Sequence, residues 1–308
     1  MDVLTKILSL HTILKNPAMK IFEKRVDLNT YLKSISNAAS SIGFVPTMGA
    51  LHNGHLSLLE KSIKNNTFTV ISIFVNPTQF NNAEDLEKYP RTLDHDIGRI
   101  KTVSDDIIVY APSVEDIYNG SATSQHFDFD GLENQMEGKF RRGHYDGVGT
   151  VVKKLFEIVN PTNAYFGEKD FQQLQIVKKL VEKAGMPITI IGCPIYRESN
   201  GLAMSSRNER LTVQEKKEAA LIYKSLKASK TKFKTQSAKE VTDWVAKTIE
   251  KSPNIKLEYF QISDETTLQS CLRKNKNKKY RAFIAVFINN IRLIDTISLI
   301  HNRSYHAD

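Results

Sequence analysis

At 308 residues and 41% hydrophobic content, the chain can bury a sizeable core, as one large domain or two of ordinary size. It carries a formal net charge of +9, but no stretch reaches the roughly eighteen unbroken apolar residues of a membrane span. Its two cysteines, Cys193 and Cys271, match no metal or redox spacing, so a folded, soluble, cytoplasmic protein with reduced thiols and no membrane partner is expected.

The first eighteen residues, MDVLTKILSLHTILKNPA, form a short amphipathic run without the extended apolar core or small-residue cleavage site of a signal peptide. Beyond them, Ile42 to Val45, Phe68 to Val75, Ile107 to Ala111, Asn163 to Phe166 and Ile188 to Cys193 read as short buried strands rich in β-branched and aromatic residues. Between these lie helical stripes at three- and four-residue steps: Leu56, Leu59 and Ile63; Leu93, Ile97 and Ile100; Val148 through Val159; and Leu174 through Val181. Strand and helix in alternation predict an α/β fold, a Rossmann-like parallel sheet with helices on both faces, whose ligands gather beyond the carboxyl ends of the strands. After about Tyr196 the rhythm changes. Two charged helical stretches, Thr212 to Ser229 and Ala238 to Lys251, precede strand-like IKLEYFQISD from Ile255 and RAFIAVFINNIRLID from Arg281, which together predict a smaller α+β C-terminal domain. The Ser-Asn-Gly turn signal puts the boundary near Arg197 to Gly201, giving an N-terminal extension over 1–18, a first domain over 19–197 and a second over 198–308.

Four stretches carry chemistry. In GFVPTMGALHNGHLSLL, a strand ends at Val45, two glycines permit tight turning, and a helix starts near Asn53, a good N-cap residue. Free N–H groups and the positive dipole end at a helix start attract phosphate, and His52 and His55 flank that point. Zinc ligation and a packing pair are the competing readings, although no third ligand accompanies the pair, and neither a G-x-G-x-x-G nor a Walker pattern is present. In SIFVNPTQFNNAEDLEKYPRTLDHD, Gln79 follows its strand through an Asn-Pro turn and can aim its amide into the same crevice. Asp94 and Asp96 read as helix caps in preference to Mg²⁺ holders.

In NAYFGEKDFQQLQIV, a strand again ends at a glycine, and Glu168, Lys169 and Asp170 open a helix where Asp170 can accept from ribose hydroxyls and Lys169 can meet a phosphate, if it is more than a charged helix start. GLAMSSRNERL, at the domain junction, reads either as a flexible linker or as an anion-seeking loop able to close over a ligand. EGKFRRGHYDG leaves Arg141 and Arg142 facing substrate, a neighbouring subunit or water. The densest basic cluster, RKNKNKKYR from Arg273 to Arg281, falls between two strand-like runs and reads as a solvated turn, so no nucleic-acid partner is expected despite the net charge.

Taken together, PTMGALHNGH, FVNPTQF, YPRT, GEKDFQQ and MSSRN, in this order, resemble the pantoate–β-alanine ligase (pantothenate synthetase) family from about Met19 to about Ile300. Their H-x-G-H and M-S-S-R elements are also similar to the wider nucleotidyltransferase superfamily, which implies AMP transfer. The resemblance implies that pantoate and ATP give an enzyme-bound pantoyl adenylate and pyrophosphate, and that β-alanine then displaces AMP to form pantothenate, a coenzyme A precursor.

The resemblance also implies roles for individual residues. An ATP site is implied at Met48, Gly49, Ala50, Leu51, His52, Asn53, Gly54, His55, Gly167, Glu168, Lys169, Asp170, Tyr196, Met204, Ser205, Ser206 and Arg207. His52, His55, Lys169, Ser205, Ser206 and Arg207 would be catalytic, with His55 as proton donor, and Gln79 and Gln173 would hold pantoate and β-alanine. It further implies Mg²⁺ held mainly by the ATP phosphates, with no protein metal site, a C-terminal domain acting as a lid, and a homodimer. The chain departs from the family pattern at Tyr196, where a small aliphatic residue is usual, at Arg142, where proline is common, and at His95, where acidic or amide residues are usual; residues 1–18 precede the usual family start.

Overall fold

The computed structural model describes residues 19–81 and 83–299, and the expected extension over 1–18 lies outside the described residues. Six parallel strands form the first sheet: β1 (Ile21–Phe22), β2 (Ile42–Thr47), β3 (Phe68–Ile73), β4 (Ile108–Tyr110), β5 (Asn163–Gly167) and β6 (Thr189–Cys193), in the order β1-β4-β3-β2-β5-β6. The helices between them are α1 (Arg25–Ile35), α2 (Asn53–Asn65), α3 (Ala83–Glu87), α4 (Leu93–Lys101), α5 (Val114–Tyr118), α6 (Met136–Phe140), α7 (His144–Val159) and α8 (Phe171–Ala184). This is the Rossmann-like arrangement expected from the alternation. The edge unit β1–α1 escaped sequence reading because a two-residue strand carries no periodicity.

Period-two alternation explains how one sheet serves two cores. Phe44, Val70, Ile108 and Ala164 point into a cluster with Leu28 and Leu32 of α1, Val148 and Val152 of α7 and Leu174 and Val177 of α8. Their chain neighbours Val45, Ile71, Val109 and Tyr165 point to the other face, against Leu56 and Leu59 of α2 and Ile100 of α4. The central strands are therefore buried on both faces, which is why the sequence reads as short β-branched and aromatic runs with no strict polar alternation.

Strand β2 runs two residues past its expected end, through Pro46. Its pairing with β3 covers all six residues, whereas its pairing with β5 covers only Gly43 and Phe44. The two strands have parted before Pro46, whose missing N–H removes a ladder donor just where the sheet opens.

The C-terminal part contains α9 (Val213–Lys232), α10 (Ala238–Ile249) and an antiparallel sheet of β7 (Ile255–Asp264), β8 (Tyr280–Ile288) and β9 (Ile291–Ser298), in the order β7-β8-β9. Both helices begin at capping boxes, Thr212 with Glu215 and Ser237 with Glu240, so their starts were legible to within a residue. The run from Arg281 is not one strand but a hairpin turning at Asn289 and Asn290, with Asn289 in the left-handed region at φ +50°. The lysine-rich segment is an exposed turn as expected, except that Tyr280 and Arg281 at its end are buried in β8.

Three arginines tie the two sheets together. Arg292 of β9 forks onto Glu137 of α6 with two 2.7 Å bonds; Arg281 of β8 donates to Glu168 after β5 at 3.1 Å; and Arg197 forks onto Asp295 of β9 at 2.6 and 3.0 Å. Burial pushes the Asp295 carboxyl up from its ordinary value, with Arg197 only partly offsetting it. Replacing Arg197 with methionine is expected to lower stability in urea by roughly 3–5 kcal/mol, because the buried carboxyl loses its partner. A carboxyl whose folded-state pKa lies above its unfolded value contributes stability below the unfolded pKa and loses it as pH rises. The deficit should therefore be larger near about pH 8 than near about pH 5, which urea titrations at the two pH values would measure.

Candidate active site

Where β2 and β5 part, the strand order reverses: β3 and β4 lie to one side of β2, and β5 and β6 to the other. A cavity of about 590 Å³ sits beyond the carboxyl ends of these strands and is closed on its far side by β8 and β9. Among the expected site residues it is lined by Met48, His52, Gly54, His55, Gln79, Gly167, Lys169, Asp170, Gln173, Tyr196, Met204, Ser205, Ser206 and Arg207. Gly49, Ala50, Leu51, Asn53 and Glu168 do not line it. Leu51 is buried in the core under the turn, and the side chains of Asn53 and Glu168 are taken by Arg99 and Arg281.

The histidines stand at the head of α2. His52, not Asn53, is the N-cap, and the two imidazoles stack with centroids 4.0 Å apart and planes 23° apart. The backbone N–H of His52 donates to Nδ1 of His55 at 3.3 Å, so Nε2 is the nitrogen left to carry the proton of a neutral His55 ring. Nδ1 of His52 is buried with no hydrogen-bond partner among the described residues. Burial, then the charges of Lys169 and Arg99, pulls His52 down to about 4; burial, then His52 and those same cations, takes His55 well below its ordinary value. Both rings are therefore neutral near pH 7. That permits their face-to-face contact and makes them hydrogen-bond donors to an anion without adding charge.

Lys169 supplies the charge. It lies in the short 3₁₀ turn Glu168–Asp170 that follows β5, its ammonium 3.6 Å from Asp170 and mostly shielded from solvent. Opposite it, the loop after β6 is tied rather than loose. Arg197 and Ala203 form an isolated bridge, Met204 N–H donates to the Tyr196 carbonyl at 2.9 Å, and Asn208 donates to Glu198 and to the Ala203 carbonyl. This holds the Ser205–Arg207 segment against the cavity, and the flexible-linker reading falls. Tyr196 turns its side chain outward, 43% exposed, while its carbonyl keeps the loop closed.

Gln79 sits on the 3₁₀ turn Pro77–Gln79, clamped from two sides. A Cβ on Gly147 would lie 2.4 Å from the Thr78 carbonyl, so only glycine lets α7 press this close. Asn76 bridges the Gln79 side-chain oxygen and the Gly147 carbonyl at 3.2 Å each, and His144 Nδ1 meets the Gln79 carbonyl at 2.9 Å. His144 is held down at about 4 by burial and by Arg141, so it too is neutral.

The adjacent glutamines diverge, because consecutive residues on a helix face different ways. Gln173 lines the cavity, while Gln172 is buried and binds the carbonyls of Leu132 and Gln135 and the N–H of Glu137. Burial opposes ionisation of Glu137, yet Arg292 outweighs it and holds the carboxyl below its ordinary range. Sequence reading missed Glu137, His144, Tyr259 and Arg292 on the cavity wall and left the direction of Arg141 open. The charged run around Arg141 was a visible signal whose direction was not. Arg142 is exposed, so of that pair only Arg141 faces the cavity.

Asp94 and His95 are exposed, and Asp96 is not the cap, a place Thr92 takes; instead it accepts the backbone N–H groups of Ala50 and Leu51. Among the described residues, no group of three or more His, Cys, Asp or Glu side chains converges on a point where a metal ion would sit. No helix among them is long and apolar enough to cross a membrane.

Comparison with known proteins gives a consistent result. A family model described as pantoate-beta-alanine ligase matches residues 20–298. The chain is similar to the pantothenate synthetase of Flavobacterium psychrophilum, 66% identical over 91% of this chain and 100% of that protein, and to that of Christiangramia forsetii, 52% identical over 91% and 99%. Among solved structures it resembles pantothenate synthetase from Thermus thermophilus, with a TM-score of 0.82 at 35% identity over 91% of this chain and 99% of that one. It also resembles pantoate-beta-alanine ligase from Francisella tularensis complexed with β,γ ATP and β-alanine, with a TM-score of 0.74 at 36% identity over 92% and 98%.

Because His52 falls from 6.5 in the unfolded chain to about 4 in the fold, the unfolded state binds more protons between those values, and stability drops as pH falls through that window. Thermal midpoints of the free protein should decline from about pH 6.5 to about pH 5, with a shallower decline for His52→Gln. Equal slopes would mean that His52 is not held neutral.

Proposed function

The chain belongs to the pantoate-beta-alanine ligase family, and on that premise we propose how its cavity performs the family reaction, the ATP-dependent condensation of pantoate with β-alanine that releases pyrophosphate and AMP. The observation that carries the reading is convergence: His52, His55, Gln79, Lys169, Gln173 and the Ser205–Arg207 segment, scattered over more than half the sequence, line one cavity at the reversal of strand order.

The triphosphate lies across the head of α2, where the first N–H groups of the helix and the neutral imidazoles of His52 and His55 donate to phosphate oxygens. Lys169 and Arg207 bring positive charge to the transferring phosphate and the departing pyrophosphate, while Ser205 and Ser206 donate hydroxyls. Gly167 and Asp170 meet the ribose, and the backbone at Tyr196 and Met204 borders the adenine. Gln79 and Gln173 hold the hydroxyls and carboxylate of pantoate. A carboxylate oxygen attacks the α-phosphorus in line as the bond to pyrophosphate breaks; the amine of β-alanine then attacks the acyl carbon, and the bond to AMP breaks with loss of a proton from nitrogen. Mg²⁺ would arrive on the ATP phosphates and screen their charge.

The part from 19 to 197 binds nucleotide and pantoate, and the part from 198 to 308 acts as a lid that shields the mixed anhydride from water. We read the active form as a homodimer. Neither nucleic acid nor membrane has a role in this reading.

Two measurements test it. Pyrophosphate should appear in a single turnover with ATP and pantoate in the absence of β-alanine; its absence with folded protein removes the adenylate step. Lys169→Ala should slow that release by about 10²-fold with little change in thermal midpoint. The glutamine pair gives a sharper contrast. Gln173→Ala should raise the KM for pantoate in a folded enzyme, whereas Gln172→Ala should lower the unfolding midpoint first, since it strips three hydrogen bonds from a buried side chain.

A further inference from the structure

We propose that Asp96 is a positioning residue for ATP, acting by holding the turn between β2 and α2 in the conformation that presents the histidines. The inference rests on the placement of the triphosphate at the head of α2 given above. Asp96 lies in α4, its side chain fully buried, and directs both carboxylate oxygens at that turn: Oδ1 accepts from Leu51 N–H at 2.7 Å and Oδ2 from Ala50 N–H at 3.0 Å. Thr92, at the N-cap of α4, donates its hydroxyl to Oδ2 at 3.3 Å and fixes the rotation of the carboxylate.

The turn needs such a clamp. Gly49 and Ala50 are consecutive left-handed residues, at φ +81° and +50°, and for Ala50 that conformation is disfavoured by its Cβ. A Cβ on Gly49 would lie 3.0 Å from Asp96 Oδ2, so the carboxylate sits directly against the bend. Leu51 follows, anchored in the core at 1% exposure, and the next residue is His52, the N-cap. Any relaxation of Ala50 toward negative φ therefore reorients the Met48–Leu51 segment and the start of α2 together. Asp96 does this without being on the cavity wall, through three hydrogen bonds to the turn and to Thr92.

The test is a comparison of steady-state constants and ATP affinity by calorimetry for wild type, Asp96→Asn, Asp96→Asn with Ala50→Gly, Thr92→Val and His52→Ala. The carboxamide turns an N–H₂ toward one of the two backbone donors, so Asp96→Asn should raise the KM and Kd for ATP by about tenfold or more while the KM for pantoate stays within about twofold. Glycine meets no steric penalty at positive φ, so adding Ala50→Gly should recover ATP affinity by about fivefold. An ATP constant that is unmoved, a pantoate constant that rises equally, or a failure of glycine to rescue overturns the proposal. If Asp96→Asn does not fold, Thr92→Val, which loosens the carboxylate and leaves the backbone bonds, decides: a two- to threefold weaker ATP constant is about the size expected, and none overturns it. Should ATP binding be unchanged in His52→Ala as well, the placement of the triphosphate fails. Should it weaken there but not in Asp96→Asn, only the role of Asp96 fails.

Discussion

The site depends on the parting of two neighbouring parallel strands. Strands β2 and β5 share a register only at Gly43 and Phe44, then diverge, and every element that reaches the cavity from the first sheet leaves it on one or other side of that gap. From β2 come the Met48 turn and the paired histidines; from β5 come Lys169 and Asp170; from β3, its neighbour, comes Gln79. A parallel sheet buried on both faces cannot tolerate such a gap in its middle without losing packing. Here the loss is confined to the carboxyl ends, where Pro46 removes a donor and loops take over from strands.

Electrostatics then divides the labour. The head of α2 contributes partial positive charge and neutral imidazoles, because burial beside Lys169 and Arg99 makes protonation of either ring unfavourable. The full charges on the wall come from side chains presented by other elements. The three arginine bridges pair charge across the molecule: Glu137, Glu168 and Asp295 each meet a guanidinium from the opposite part. These bridges also join the C-terminal sheet to the first domain at α6, at the start of the β5 loop and at the chain crossing between the domains, which frames the cavity on three sides.

Much of this was legible in the sequence, for definable reasons. Buried strands announce themselves by β-branched runs, α7 and α8 by clear stripes, and α9 and α10 by their capping boxes. Glycine-bearing strand ends marked the head of α2 and the Lys169 turn, both of which reach the cavity, since strand ends and helix starts leave local marks. What stayed hidden was long-range. Nothing near Asp96 indicates that its partners are the N–H groups of Ala50 and Leu51, more than forty residues earlier. Likewise, the pairing of Glu137 with Arg292 spans 155 residues, and the choice between Gln172 and Gln173 depends on which side of α8 meets the Leu132–Gln135 segment. The β8–β9 hairpin was missed for a local reason instead: its Asn-Asn turn lacks the glycine that usually marks a two-residue connection.

The neutral histidines also explain why the motif takes the form it does. In the proposed reaction the pyrophosphate must be stabilised as it departs and then released. A pair of lysines at positions 52 and 55 would bind the triphosphate and its product alike through full charge, strengthening the ground state as much as the transition state. Imidazoles held below their ordinary pKa give directional hydrogen bonds without that uniform attraction. Full charge is then left to Lys169 and Arg207; the Lys169 ammonium, 3.6 Å from Asp170, reaches the cavity wall from the other strand. In the proposed reaction the two strands would thus supply different interactions to one anion, and the gap between them would allow both to reach it.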